Sequence, residues 1–120
     1  MAQLEIENDQ LILKLTKAEK LEAVHGDLHV SFSQIKDIEI INNALEMTDI
    51  RTGFKIGMRV PGRASVATVV RPGHKMFVVV HHDTPRAIRV TLKDNKYDEW
   101  IVGLSNPESI LATLKSKQST

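Results

Sequence analysis

Leu4 and Ile6 alternate with polar neighbours, and Leu11, Leu13 and Leu15 repeat the alternation after Asn8-Asp9-Gln10. A two-residue period broken by turn-forming side chains predicts a β-hairpin over the first fifteen residues. Thr16 and Glu19 have capping-box spacing, so a short helix is expected over residues 17–24, with Gly26 placed to end it. Leu28, Val30 and Phe32 then share one face of a strand, and Ile35, Ile38, Ile40 and Ile41 supply a second β-rich run. Residues 42–65 show no sustained period and contain Gly53, Gly57, Pro61 and Gly62, which predicts a long irregular connection.

Strand patterning resumes at Val66. VATVVR is followed by the turn pair Pro72-Gly73 and then by KMFVVVHH. Asp83-Thr84-Pro85 leads into AIRVTL, and Asp94-Asn95-Lys96 into YDEWIVGL, where Trp100, Val102 and Leu104 align on an apolar face. Successive strands with short turns predict an antiparallel meander. The chain closes with NPESILATLKSK, in which Asn106 is a good N-cap, Pro107 suits the first helical position and Glu108 complements the positive helix end. Ile110, Leu111 and Leu114 give this helix, expected over Asn106 to Lys117, one apolar stripe. The whole predicts a single mainly-β domain over residues 1–120, with about seven strands, a closing helix and a frayed tail at about 117–120.

Composition narrows the chemistry. Aromatic residues are only 4% of the chain, so Ile, Val and Leu must build the core, and these suit a pleated sheet. The absence of cysteine excludes disulfides, thiolate zinc sites and thiol catalysis. The start MAQLEIENDQ is acidic where a secretory signal is basic, and no apolar run nears the roughly 20 residues that span a bilayer. A cytoplasmic protein with no transmembrane segment is expected.

No nucleophile elbow, phosphate-binding loop, zinc-protease helix or dinucleotide-binding turn is present, and no cofactor is expected. Asp98 and Glu99 are neighbours on a predicted strand and so should face apart, which suits no paired-carboxylate chemistry. His81 and His82 face apart for the same reason, and no ligand spacing is completed around them, so no metal site is expected. The histidines are read as polar residues at strand ends. These absences predict that the protein is not an enzyme.

One asymmetry stands out. Net charge is only +1, yet no acid occurs from Ile50 to His82, while Arg51, Lys55, Arg59, Arg63, Arg71 and Lys75 all fall there. Arg51, Lys55, Arg59 and Arg63 recur every four residues, but the interspersed glycines and proline rule against a helical stripe. In a loop, those glycines would let backbone amides approach an anion while arginines fork onto phosphate or carboxylate. The competing reading is a solvated stretch that offsets the acidic remainder of the chain.

Five stretches in order carry a family resemblance: AEKLEAVHGDLHV, SQIKDIEIINNAL, GFKIGMRVPG, FVVVHHDTPRAIRVTL and YDEWIVGLSNPESILATL. Together they resemble the bacterial PH-like domains, uncharacterised proteins of the pleckstrin-homology fold. The resemblance implies a bent barrel of about seven antiparallel strands in two near-orthogonal sheets, capped by the C-terminal helix. Eukaryotic relatives of that fold often bind phosphoinositide headgroups through basic residues in the first strand–strand loop. Here that position is Asn8-Asp9-Gln10 beside Glu5 and Glu7, so no headgroup residues carry over.

The function expected is therefore a non-catalytic binding or scaffold module that recognises a protein segment or self-associates. The alternative is recognition of a small anion or an acidic membrane surface through Arg51, Lys55, Arg59 and Arg63. Nucleic-acid binding is disfavoured by the near-neutral charge and by having only Phe54 and Phe77 as stacking residues beside the basic segment.

Overall fold

The computed structural model describes residues 3–7, 9–15, 28–44, 54–60, 64–81 and 86–118, with the backbone alone described at 54–60, 64–67, 71, 117 and 118. The expected helix at 17–24 and the Asp83-Thr84-Pro85 turn lie outside these residues, as do Arg51, Arg63, His25 and His82.

Nine strands form among the described residues. They are β1 (Gln3–Glu7), β2 (Gln10–Lys14), β3 (Leu28–Ser31), β4 (Ile35–Ile41), β5 (Phe54–Val60), β6 (Ala64–Arg71), β7 (His74–His81), β8 (Ala87–Leu92) and β9 (Glu99–Gly103). A helix, α1 (Pro107–Gln118), follows them and runs one residue past the predicted Lys117. β1, β2 and β3 make a three-stranded antiparallel sheet, and the other six strands a second sheet in the order β4-β8-β9-β7-β6-β5. The strands fall into two sheets, and no ladder among the described residues joins them to close the expected bent barrel. The mainly-β architecture with a closing helix stands.

The predicted meander also requires correction. β6 and β7 pair antiparallel, as do β8 and β9, but β9 inserts between β7 and β8 and runs parallel to β7. Burial gives the physical reason. All five residues of β9 are buried, and so is the Met76–Val80 run of β7, so each strand is covered on both faces. Continuous apolar runs of this kind belong in the middle of a covered sheet, where parallel pairing is at home.

The second correction concerns residues 42–65. Phe54–Val60 is a seven-residue strand, registered from Phe54 opposite Val70 to Val60 opposite Ala64. The strict alternation of Phe54, Ile56, Met58 and Val60 with Lys55, Gly57 and Arg59 explains it. A strand needs this period of two, and one interior glycine only weakens it.

One core lies between the small sheet, one face of the large sheet and α1. It contains Leu11, Leu13, Val30, Ile38, Phe77, Ile88, Val90, Trp100, Val102 and Leu114. Each such side chain contributes about 1.5–3 kcal/mol by leaving water. Leu114 is fully buried, with Ile110 and Leu111 packed beside it, as the predicted stripe requires. Asn106 Oδ1 accepts the Ser109 amide at 3.3 Å, which realises the predicted N-cap. The opposite face of the large sheet buries a second cluster of Val69, Met76, Val78, Val80, Ala87 and Ile101 with Ala44.

Candidate functional site

The predicted anion-binding residues do not share one loop. Lys55 and Arg59 lie on β5, opposite Val69 and Ser65, while Arg51 and Arg63 fall outside the described residues. The acid-free segment is instead spread over three strands, β5, β6 and β7. Its last cation, Lys75, has taken structural work. The Lys75 amide donates to Asp98 Oδ2 at 2.7 Å, its carbonyl accepts the Asp98 amide at 2.7 Å, and its ammonium sits 5.4 Å from the Tyr97 ring centroid. Lys96 flanks the same ring at 5.6 Å. Phe77 is fully buried and meets Tyr97 edge-on, so it is not free to stack on a base.

Two strand edges frame the remaining possibilities. β5 ends the six-stranded sheet, so among the described residues one of its sides carries backbone groups with no sheet neighbour. Lys55, Gly57 and Arg59 are positions of one parity along it, and Phe54, Ile56, Met58 and Val60 of the other. β1 ends the small sheet. Its Leu4 and Ile6 pack against the core, leaving Gln3, Glu5 and Glu7 on the outward parity. Glu5 Oε2 lies 3.4 Å from Lys14 Nζ. An open groove of about 350 Å³ borders β1, lined by Gln3, Leu4, Leu104, Ser105, Asn106 and Ile110 among others. A second, of about 450 Å³, lies by the hairpin turn against Glu7, Asp9, Gln10, Ile12 and His29.

Sequence reasoning missed a charged cluster on the large sheet. Arg89 of β8 donates through Nε and Nη2 to both oxygens of Glu99 on β9, each at 3.2 Å, and through Nη1 to Glu39 on β4 at 3.2 Å. Glu99 is 4% exposed. Partial burial opposes the Arg89 charge, but the hydrogen bonds and Coulombic attraction of Glu99, then of Glu39, outweigh it and raise its pKa. His74 completes the group, with Nε2 3.4 Å from Glu99 and Nδ1 3.8 Å from Asp98.

Asp98 and Glu99 therefore both reach one histidine, against the expectation that neighbours on a strand face apart. Asp98 precedes β9, so strand alternation does not govern it. His74 and His81 do sit at the two ends of β7, whereas His29 is an exposed residue within β3. Arg89 occupies both Glu99 oxygens, so the carboxylate is engaged in holding β8 to β9. Among the described residues no group of three or more His, Asp or Glu is arranged to hold a metal ion, and no helix is long and apolar enough to cross a membrane.

Comparison with protein-family models, with curated proteins and with solved structures returned no match. What the structure supports is a small mainly-β domain of two sheets with a C-terminal helix.

Proposed function

We propose that the domain is a non-catalytic binding module that takes an extended, acid-bearing segment of a protein onto the outer edge of β5. The observation that supports this reading is the position of β5 at the end of the sheet, with Lys55 and Arg59 at sites of one parity along it. An added strand gains affinity from backbone hydrogen bonds and specificity from every second side chain. Carboxylates two or four residues apart on the incoming strand would match the two cations.

Fluorescence anisotropy with a short alternating peptide, Thr-Glu-Val-Glu-Val-Glu-Thr, tests the proposal. Binding should weaken at least tenfold in K55E/R59E, and an N-methylated peptide of the same charge should not bind, because it lacks backbone donors. Equal binding of both peptides would reduce the site to a patch of charge. In that case vesicles of anionic lipid become the relevant ligand, through the same residues. Absence of any peptide binding at low salt overturns the reading.

A further inference from the structure

We infer, resting on the strand-addition reading above, that the segment accepted by β5 is β1 of a second copy of this chain, so that copies join head to tail. The chain carries both halves of such a contact. β1 reads QLEIE, with Glu5 and Glu7 on its outward parity, and β5 reads FKIGMRV, with Lys55 and Arg59 on one parity. In an antiparallel register that sets Glu5 opposite Gly57, Glu7 falls opposite Lys55 and Gln3 opposite Arg59. Leu4 then falls opposite Met58 and Ile6 opposite Ile56. Glu5, over the glycine, has both cations as diagonal neighbours. Opposite charges and apolar pairs at facing positions stabilise a sheet, while like charges there destabilise it.

The same rule disfavours the symmetric alternatives. Two β1 strands paired about their centre place Glu5 against Glu5, and two β5 strands place Lys55 against Arg59. The other terminal strands offer β5 less. β3 has four residues and no acid. β4 breaks register between Ile35 and Asp37, and its Glu39 is held by Arg89 at 3.2 Å. A bulge of that kind blunts an edge against pairing. β1 has no break in register, its one ion pair, Glu5 with Lys14, joins two exposed side chains, and the open groove beside Gln3 and Leu4 leaves room along it. Because the two surfaces differ, the contact is heterologous and builds rings or open chains, not a two-fold dimer.

Sedimentation equilibrium on the full chain tests this with charge swaps. The wild type should show a weight-average mass that rises with concentration and falls back toward one copy in about 0.5 M salt. E5K/E7K and K55E/R59E should each stay monomeric, with circular dichroism unchanged. Mixing these two variants should restore assembly, because each then supplies the charge that the other lost. Unfolding or loss of an unrelated contact could not give that rescue.

A wild type that stays monomeric while the acidic peptide still binds β5 overturns the β1 assignment alone. A monomeric wild type that also ignores the peptide removes both proposals. Assembly that survives the K55E/R59E change overturns the pairing proposed.

Discussion

Arg89 and Glu99 face each other across β8 and β9 in a forked pair, Nε to Oε1 and Nη2 to Oε2, both at 3.2 Å. The two partners are not equivalent. Glu99 is almost wholly buried, whereas about a quarter of the Arg89 side chain remains exposed and has Glu39 as a second acceptor. Removing the cation leaves a buried carboxylate with only His74, 3.4 Å away, in place of a forked guanidinium. Removing the carboxylate leaves a guanidinium that still reaches Glu39 and water. Arg89→Met should therefore cost about 3 kcal/mol and Glu99→Gln clearly less, with R89M/E99L recovering much of the loss. Urea denaturation of the four proteins checks the order. Equal single-mutant losses would contradict it.

Arg86 and Glu108 tie the entry to β8 to the first turn of α1 through two hydrogen bonds. Those bonds, then the backbone hydrogen bond at Glu108, hold the carboxyl below its ordinary range, with the Arg86 charge adding a little. A carboxyl depressed in the folded state stabilises above its unfolded pKa, and that contribution fades as pH falls through the folded one. Glu108 is solvent-exposed, so the effect on stability is slight, and its own titration is the sensitive measurement. By carboxyl NMR, Arg86→Gln should move the Glu108 midpoint upward. An unmoved midpoint means that the pair does not persist in solution.

Trp100 is 1% exposed, and its indole Nε1 is buried with no hydrogen-bond acceptor among the described residues. An unpaired buried donor costs roughly 1–3 kcal/mol, which offsets part of what the large ring contributes. Trp100→Phe loses ring volume but also removes the orphaned donor, so its net change should stay within about 1 kcal/mol, against about 3–5 for Trp100→Ala. Thermal unfolding of both variants decides. A loss for the phenylalanine variant as large as that for alanine would show that the indole N–H has a partner.

Gly73 has φ +70°, and a Cβ built there would meet nothing within 4 Å. Any penalty for a side chain is thus a backbone penalty. With Pro72 before it, Gly73 fills the turn position that requires positive φ, and it brings His74 back opposite Arg71. Gly73→Ala should cost about 1 kcal/mol, and Gly73→Asn less, since Asn tolerates this region better. Chemical denaturation reads both. An alanine variant as stable as the wild type would mean that the turn relaxes to another type.

Local pattern made most of the elements legible. Each described strand except β5 lies on a run read from alternation or β-branched content, and the cap at Asn106 follows from side-chain chemistry alone. β5 was hidden because Gly53, Gly57, Pro61 and Gly62 drew attention to turn chemistry and away from the alternation between them. Strand order could not be read locally. That β9 neighbours β7 depends on which apolar runs are covered on both faces, a property of the assembled sheet. The Glu39–Arg89–Glu99 row was invisible for the same reason, since 50 residues separate Glu39 from Arg89. Of the candidate site, the cations were legible and their strand was not.

β9 alone joins the two parts of the large sheet, with β4 and β8 on one side and β7, β6 and β5 on the other. It is also the last of the nine strands in chain order. During synthesis the native pairings of the earlier strands leave two separate fragments until residues 99–103 arrive to bridge them. Unpaired strand edges are where nascent chains misassociate. Completion of the large sheet thus waits on residues 99–103, the strand that carries Trp100.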